Sequence, residues 1–330
     1  MTMPARRQLL AAAAAGLMLP TPLLAQRDKW AERRPIRVLV GLPPGGATDA
    51  IARVVVDRLS AELGQQVFVE NKPGLGGQLA ADALFAAPPD GQTFMVAPNA
   101  TPTFQTLVFG ERLRWNFLRD FAPVTAFASY PLGMAVSVAT GAGTAREFVE
   151  WARRNGDKAA CGTPGLGGQN HFLGVQLARA AGIELPIVAY KGTPPMVTDL
   201  AGGHLPAAIS LMDGLMANHR SGRVRVIGVF TKERSPLMPD IPSFAEQGFD
   251  VTSGEAWTGM WTRAGTPPAE IERMQRAVQK VLLMPDVNET LSQRLWVQPH
   301  FRDARQTDAL LRAELAHWAP IIKASGFKPE

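Results

Sequence analysis

The chain has 330 residues, 46% of them hydrophobic and 19% charged, with 34 basic against 29 acidic side chains. That length suits two domains of ordinary size, and so small and dispersed a positive excess excludes the basic footprint of a nucleic-acid binder. Cys161 is the single cysteine, so no internal disulfide forms and stability must come from a packed core.

The chain opens with Arg6 and Arg7, an uncharged apolar run from Leu9 to Leu19, then Pro20, Pro22 and Leu23-Leu24-Ala25 before Gln26. A basic start, a short apolar middle and a small-residue end read as a secretory signal peptide over residues 1–25. The run falls short of the roughly 20 apolar residues that span a bilayer. Arg6-Arg7 also fits a twin-arginine export signal. Removing residues 1–25 takes away two arginines and no acid, and no cysteine stands at the cleavage point to carry a lipid. A soluble protein exported to the periplasm is expected.

From Ile36 onward, strand and helix patterns alternate. Ile36 to Val40 is a β-branched run, followed by the turn Pro43-Pro44-Gly45-Gly46 and a helical pattern from Thr48 to Leu63. Gln66 to Glu70 reads as a strand, Asn71 to Gly77 as a loop, Gln78 to Ala87 as a helix and Thr93 to Ala97 as a third strand. That order implies a parallel sheet with helices on its faces. The pattern returns after Ala160, with strands at Cys161, Ile187 to Tyr190, Ala207 to Leu211 and Val224 to Phe230. Helices separate them at Asn170 to Ala181, Pro195 to Ala201 and Gly214 to Ser221.

Two β-rich segments without a helical period, Phe121 to Val138 and Glu255 to Thr262, connect these units. They suggest a hinge crossed twice. The expected fold is α/β and two-lobed, each lobe a βα sheet with helices on both faces. Residues 26–124 and 255–330 would form one lobe and residues 125–254 the other. Helices at Ala269 to Leu283, Val287 to Leu295 and Asp303 to Ser325 would pack back on the first lobe. One large doubly wound domain is the competing architecture. Pro73-Gly74-Leu75-Gly76-Gly77-Gln78 recurs as Pro164-Gly165-Leu166-Gly167-Gly168-Gln169, each copy between a strand and a helix, which favours a duplicated design.

Gly45-Gly46-Ala47-Thr48-Asp49 follows a strand and opens a helix, as does Gly165-Leu166-Gly167-Gly168-Gln169, with His171 just inside the second helix. Helix N-termini offer unpaired N–H groups and a partial positive charge to an anion. In open α/β sheets, ligands sit beyond the carboxyl ends of the strands. Either loop alone is equally a tight βα turn; both together favour a site.

Enzyme signatures are missing. No phosphate loop of the G-x-x-x-x-G-K-[ST] type occurs, neither glycine loop completes G-x-G-x-x-G, and no G-x-S-x-G elbow seats a serine. His171, His204, His219, His300 and His317 are scattered without metal-ligand spacing. Cys161, ten residues before His171, reads as a buried strand cysteine sooner than as a nucleophile. No cofactor, metal or catalytic residue is expected.

The run Pro35-Ile36-Arg37-Val38-Leu39-Val40 into Pro43-Pro44-Gly45-Gly46-Ala47-Thr48-Asp49 resembles the opening of the tripartite tricarboxylate transporter receptors, the Bug family. Further matches follow in order: Val69-Glu70-Asn71-Lys72-Pro73-Gly74, Pro89-Asp90-Gly91, Asp120-Phe121-Ala122-Pro123-Val124 and Tyr190-Lys191-Gly192. Asp199-Leu200-Ala201-Gly202-Gly203, Asp240-Ile241-Pro242 and Ala264-Gly265-Thr266-Pro267 complete the set, which covers essentially the whole mature chain.

The resemblance implies a monomeric extracytoplasmic receptor with a type II periplasmic-binding-protein fold. It would hand a small carboxylate or related metabolite to the subunits of a membrane permease; a sensor that reports it, or behind that an enzyme built on the same lobes, is the alternative. The implied ligand loops are Pro44, Gly45, Gly46, Ala47, Thr48 and Asp49; Asn99, Ala100 and Thr101; and Thr163 through Gly167, Gly168, Gln169 and His171. Pro164 and Leu166 stand where the family has small polar residues, and Met212-Asp213-Gly214 where an Asp-Asn pair is common, so Asp213 joins the candidates. Asp49 reads as a ligand contact or, ahead of it, a helix-terminus stabiliser, and His171 equally as donor or loop-ordering residue. Lys191 reads as a solvated turn residue, and Trp257 and Trp261 as hinge packing.

Overall fold

The computed structural model describes residues 34–252 and 256–329. The signal peptide expected over residues 1–25 lies outside the described residues. The chain runs β1 (Ile36–Val40), α1 (Ala47–Leu63), β2 (Val67–Asn71), α2 (Gln78–Phe85) and β3 (Thr93–Pro98). A wide helical turn at Ala100–Gln105 leads to the short α3 (Thr106–Phe109) and α4 (Phe117–Asp120), then to β4 (Phe121–Tyr130). Next come β5 (Leu132–Ser137), α5 (Ala145–Asn155), β6 (Cys161–Thr163), α6 (Gln169–Ala181), β7 (Ile187–Ala189) and α7 (Thr193–Ala201). After these, β8 (Ala207–Leu211), α8 (Met212–Arg220) and β9 (Val224–Val229) follow. The chain returns through β10 (Ala256–Arg263), α9 (Pro268–Leu282), α10 (Pro285–Glu289), β11 (Gln298–Arg302) and α11 (Ala304–Ser325).

These elements form two sheets of matching plan. The six-stranded sheet has the order β11-β4-β10-β3-β1-β2, the five-stranded one β7-β6-β8-β5-β9. In the first, β1 lies parallel between β2 and β3, and β10 runs antiparallel between β3 and β4. In the second, β6 lies parallel between β7 and β8, and β5 runs antiparallel between β8 and β9. The inserted antiparallel strand of each sheet is thus the one that has just crossed from the other lobe. β4 pairs with β10 as far as Tyr130, and β5 starts at Leu132, so the sheets part at Pro131. The expected boundary at 124/125 falls inside β4; the pairing partner, not the β-rich composition, decides where one sheet ends.

Burial explains the elements. Ile36, Val38, Leu39 and Val40 are fully buried, as a central strand covered on both faces requires. In α1, Ile51, Ala52, Val55, Val56 and Leu59 form one apolar stripe, and Gly64 in the left-handed region ends the helix. α11 starts with a capping box between Asp303 and Gln306. As expected, the C-terminal helices return to the first lobe: α9 packs on α1 and β4, and α11 on β4. α11 also reaches α6 of the second lobe. In place of one helix over Val287 to Leu295, α10 runs into a wide turn at Thr290–Arg294. Among the described residues, no helix is long and apolar enough to cross a membrane.

Candidate functional site

The carboxyl ends of β1 and β6 lead into the two glycine loops, and each loop is braced by its own helix. Gly46 caps α1 in an extended conformation. The Gly45 N–H donates to Asp49 Oδ2 at 2.9 Å, Arg53 Nε donates to the same oxygen at 2.9 Å, and Asn71 Nδ2 donates to Oδ1 at 2.8 Å. Burial alone would raise the Asp49 carboxyl, but these three donors hold it below its ordinary value. In the second lobe, Gly168 caps α6 in an extended conformation. The Gly167 N–H donates to His171 Nδ1 at 3.0 Å, so the neutral ring carries its proton on Nε2. Burial lowers the His171 pKa and keeps the ring neutral. The ring stacks on Phe172 at 4.9 Å and meets the edge of Phe327 at 4.8 Å. Asp49 and His171 therefore play matching parts, since each accepts from a glycine N–H four residues earlier and fixes its loop.

A seam joins the lobes beneath these loops. Asn99 Nδ2 donates across it to Gln169 Oε1 at 3.0 Å and, within its own lobe, to Glu314 Oε1 at 3.0 Å. Thr103 Oγ1 donates to Glu314 Oε2 at 2.7 Å. Phe104 stacks on Phe172 across the seam at 6.0 Å and leans on Trp318 at 5.0 Å.

Above the seam the cleft holds two cavities. The inner one, about 650 Å³, is lined by the β1–α1 segment at Leu42 and Thr48, by Leu75, Asn99, Ala100, Phe104 and Phe109, and by residues 164–170 of the second lobe. The outer one, about 1030 Å³, is lined by Gly45, Gly46, Ala47 and Thr48 and, from the second lobe, by Lys191, Asp213 and Arg223. Leu42, Thr48, Pro164 and Leu211 line both. Both volumes suit small-molecule ligands.

Of the fifteen candidate residues, the inner cavity gathers Thr48, Asn99, Ala100, Gly167, Gly168 and Gln169, and the outer one Gly45, Gly46, Ala47, Thr48 and Asp213. The other candidates stand back. Pro44 is exposed on its loop, and the buried Thr101 donates to the Gly76 carbonyl at 3.3 Å. Thr163 donates to the Gly165 carbonyl at 2.7 Å, and Asp49 and His171 serve the loops as described. Asp213 is open to the cavity but crowded by protein on its other sides, and this desolvation raises its carboxyl. Trp257 and Trp261 are buried in the first lobe's core, 6.0 Å apart. Cys161 is fully buried, and burial pushes its thiol up to about 12, which removes it as a nucleophile. Sequence reading placed Leu166 in the second ligand loop but missed Leu75, Phe104 and Phe109 as lining residues; the repeated Pro-Gly-Leu-Gly-Gly-Gln motif was the available signal for Leu75. Among the described residues, no group of three or more His, Cys, Asp or Glu gathers in a metal-binding arrangement.

Comparison with known proteins places this geometry. The family model for the tripartite tricarboxylate transporter family receptor matches residues 51–327. The UPF0065 protein in the tcbD-tcbE intergenic region of Pseudomonas sp. (strain P51) is 33% identical over 321 residues, 96% of this chain and 94% of that one. The solved structure of R. palustris Rpa4515 with adipate superposes with a TM-score of 0.82 at 26% identity, covering 90% of this chain and 99% of that one. The periplasmic binding protein BugD superposes with a TM-score of 0.79 at 26% identity, over 90% and 99% of the two chains. The chain belongs to the tripartite tricarboxylate transporter family receptors.

Proposed function

We propose that this receptor captures a small carboxylate between its lobes outside the cytoplasm and presents it, chemically unchanged, to the membrane subunits of a tripartite tricarboxylate-type transporter. The observation that carries the reading is the cleft itself, into which the braced glycine loops of α1 and α6 open from opposite lobes. Each helix N-terminus supplies about half a positive charge and first-turn N–H groups without intrahelical partners. A carboxylate bridging both would favour the arrangement in which the lobes meet, because it contacts both only there. The bound adipate of Rpa4515, a relative of the same fold, supports a carboxylate as the class of ligand.

The test is a thermal-shift and calorimetric screen of the chain from Gln26 onward against mono-, di- and tricarboxylates and the matching neutral amides. A cognate acid at 100 times its dissociation constant should stabilise the fold by about 2.7 kcal/mol, while its amide should bind far more weakly. Binding of amides in preference to every acid, or turnover of a bound acid, would overturn the reading.

A further inference from the structure

We infer that the inner cavity is built for an acid with a single ionised carboxylate and an apolar ring or chain, clasped between Leu75 of the first lobe and Leu166 of the second. The inference rests on the receptor reading above and narrows its ligand class.

The first observation is the division of charge. Among the described residues that line the inner cavity, none carries a charge, and Phe104, Phe109, Leu132 and Leu211 are among them. The charged side chains, Lys191, Asp213 and Arg223, line the outer cavity instead. The first turn of α6 and, through Thr48, that of α1 reach this cavity, and at about half a charge per helix they roughly match one carboxylate. Every further carboxylate brought into the inner cavity would lose its water without gaining a cation, which is strongly unfavourable. An apolar body there gains from burial in proportion to the area it covers.

The second observation concerns the two leucines. Leu75 is 67% exposed and Leu166 is 54% exposed, large values for leucine side chains. Scattered exposed leucines need no explanation, but these two occupy the same place in the repeated Pro-Gly-Leu-Gly-Gly-Gln motif, one in each lobe, and line the same cavity. Leu75 moreover holds φ at 49°, a left-handed conformation that branched side chains rarely adopt. Strain of this kind persists where surrounding structure imposes it, and it clusters at ligand clamps. Here it presents an apolar side chain to the cleft at a turn where glycine or asparagine would sit more easily.

Calorimetric titration of the chain from Gln26 onward with phenylacetate, octanoate, malate and citrate tests the inference. The expected result is that phenylacetate or octanoate binds and citrate does not. Leu75→Asn and Leu166→Asn place a polar side chain of similar size at exposed positions, and asparagine tolerates the left-handed turn. Each should weaken the apolar acid roughly tenfold while leaving the melting temperature unchanged. If malate or citrate binds more tightly than both apolar acids, the inference falls and the receptor reading stands. If both leucine variants bind the apolar acid as the wild type does, the clasp is wrong. Refusal of all four acids while another acid of the wider screen binds would overturn the inference and leave the carboxylate reading standing.

Discussion

Glu314 lies under the cleft with 7% of its surface exposed, and burial pushes its carboxyl up to about 7 against the pull of hydrogen bonds from Thr103 and Asn99 and the charge of Arg302. A carboxyl with a raised folded pKa binds more protons folded than unfolded between about pH 4.5 and pH 7, so stability falls as pH rises through that window. Glu314→Gln keeps the oxygen that accepts from Asn99 and removes the ionisation. Its melting temperature relative to wild type should therefore be several degrees higher at pH 8 than at pH 5; a difference independent of pH would contradict the buried-carboxyl account. Glu314 was invisible in the sequence, because one acid in an amphipathic helix reads as solvated until Asn99 and Thr103 arrive from 211 to 215 residues away. Asp49 and His171 were legible as important, with a loop- or terminus-ordering role read beside ligand contact for each. The spacing that explains them, a side chain four residues after a glycine N–H, is local and present in the sequence.

The helices α1 and α6 carry the central chemistry, and their starts were readable to within a residue because glycine, then an apolar period, marks them. The Gly167 N–H is already given to His171, which leaves the anion to the turn that begins at Gly168. A Cβ added at Gly168 meets nothing within 4 Å, and φ there is −100°, so larger residues fit the backbone and fill only the cleft. Gly168→Val should melt within about 2 °C of wild type and lose at least tenfold in affinity for the acid; wild-type affinity would exclude this turn from the site. At Gly46 the added carbon would come within 3.3 Å of the Pro43 carbonyl, so loss of binding there would mix loop damage with blockage. Other elements were missed. α5 has a Thr144 cap and buried Phe148, Val149 and Ala152 on one face, a helical period that lies between the two α/β units. β11 is an edge strand with Pro299 and no alternating burial, so neither period nor composition marks it.

At the scale of the molecule, the sequence conveyed two α/β units and two crossings, because alternation and the β-rich connectors are local patterns. It did not convey which sheet β4 joins, since ten residues of extended backbone look the same whichever strand they pair with. The long-range pairing settles it, and it also puts Tyr130, Leu132 and Ala256 at the crossings on the wall of the inner cavity. A ligand there would touch both lobes and the hinge at once. Hydrogen–deuterium exchange with and without a saturating acid from the calorimetric screen tests that claim most directly. The account predicts slower exchange in residues 43–49 and in residues 164–170 together, because first-turn amides of both α1 and α6 face the same ligand. Protection of one loop with the other unchanged, or of neither, would contradict capture between the lobes.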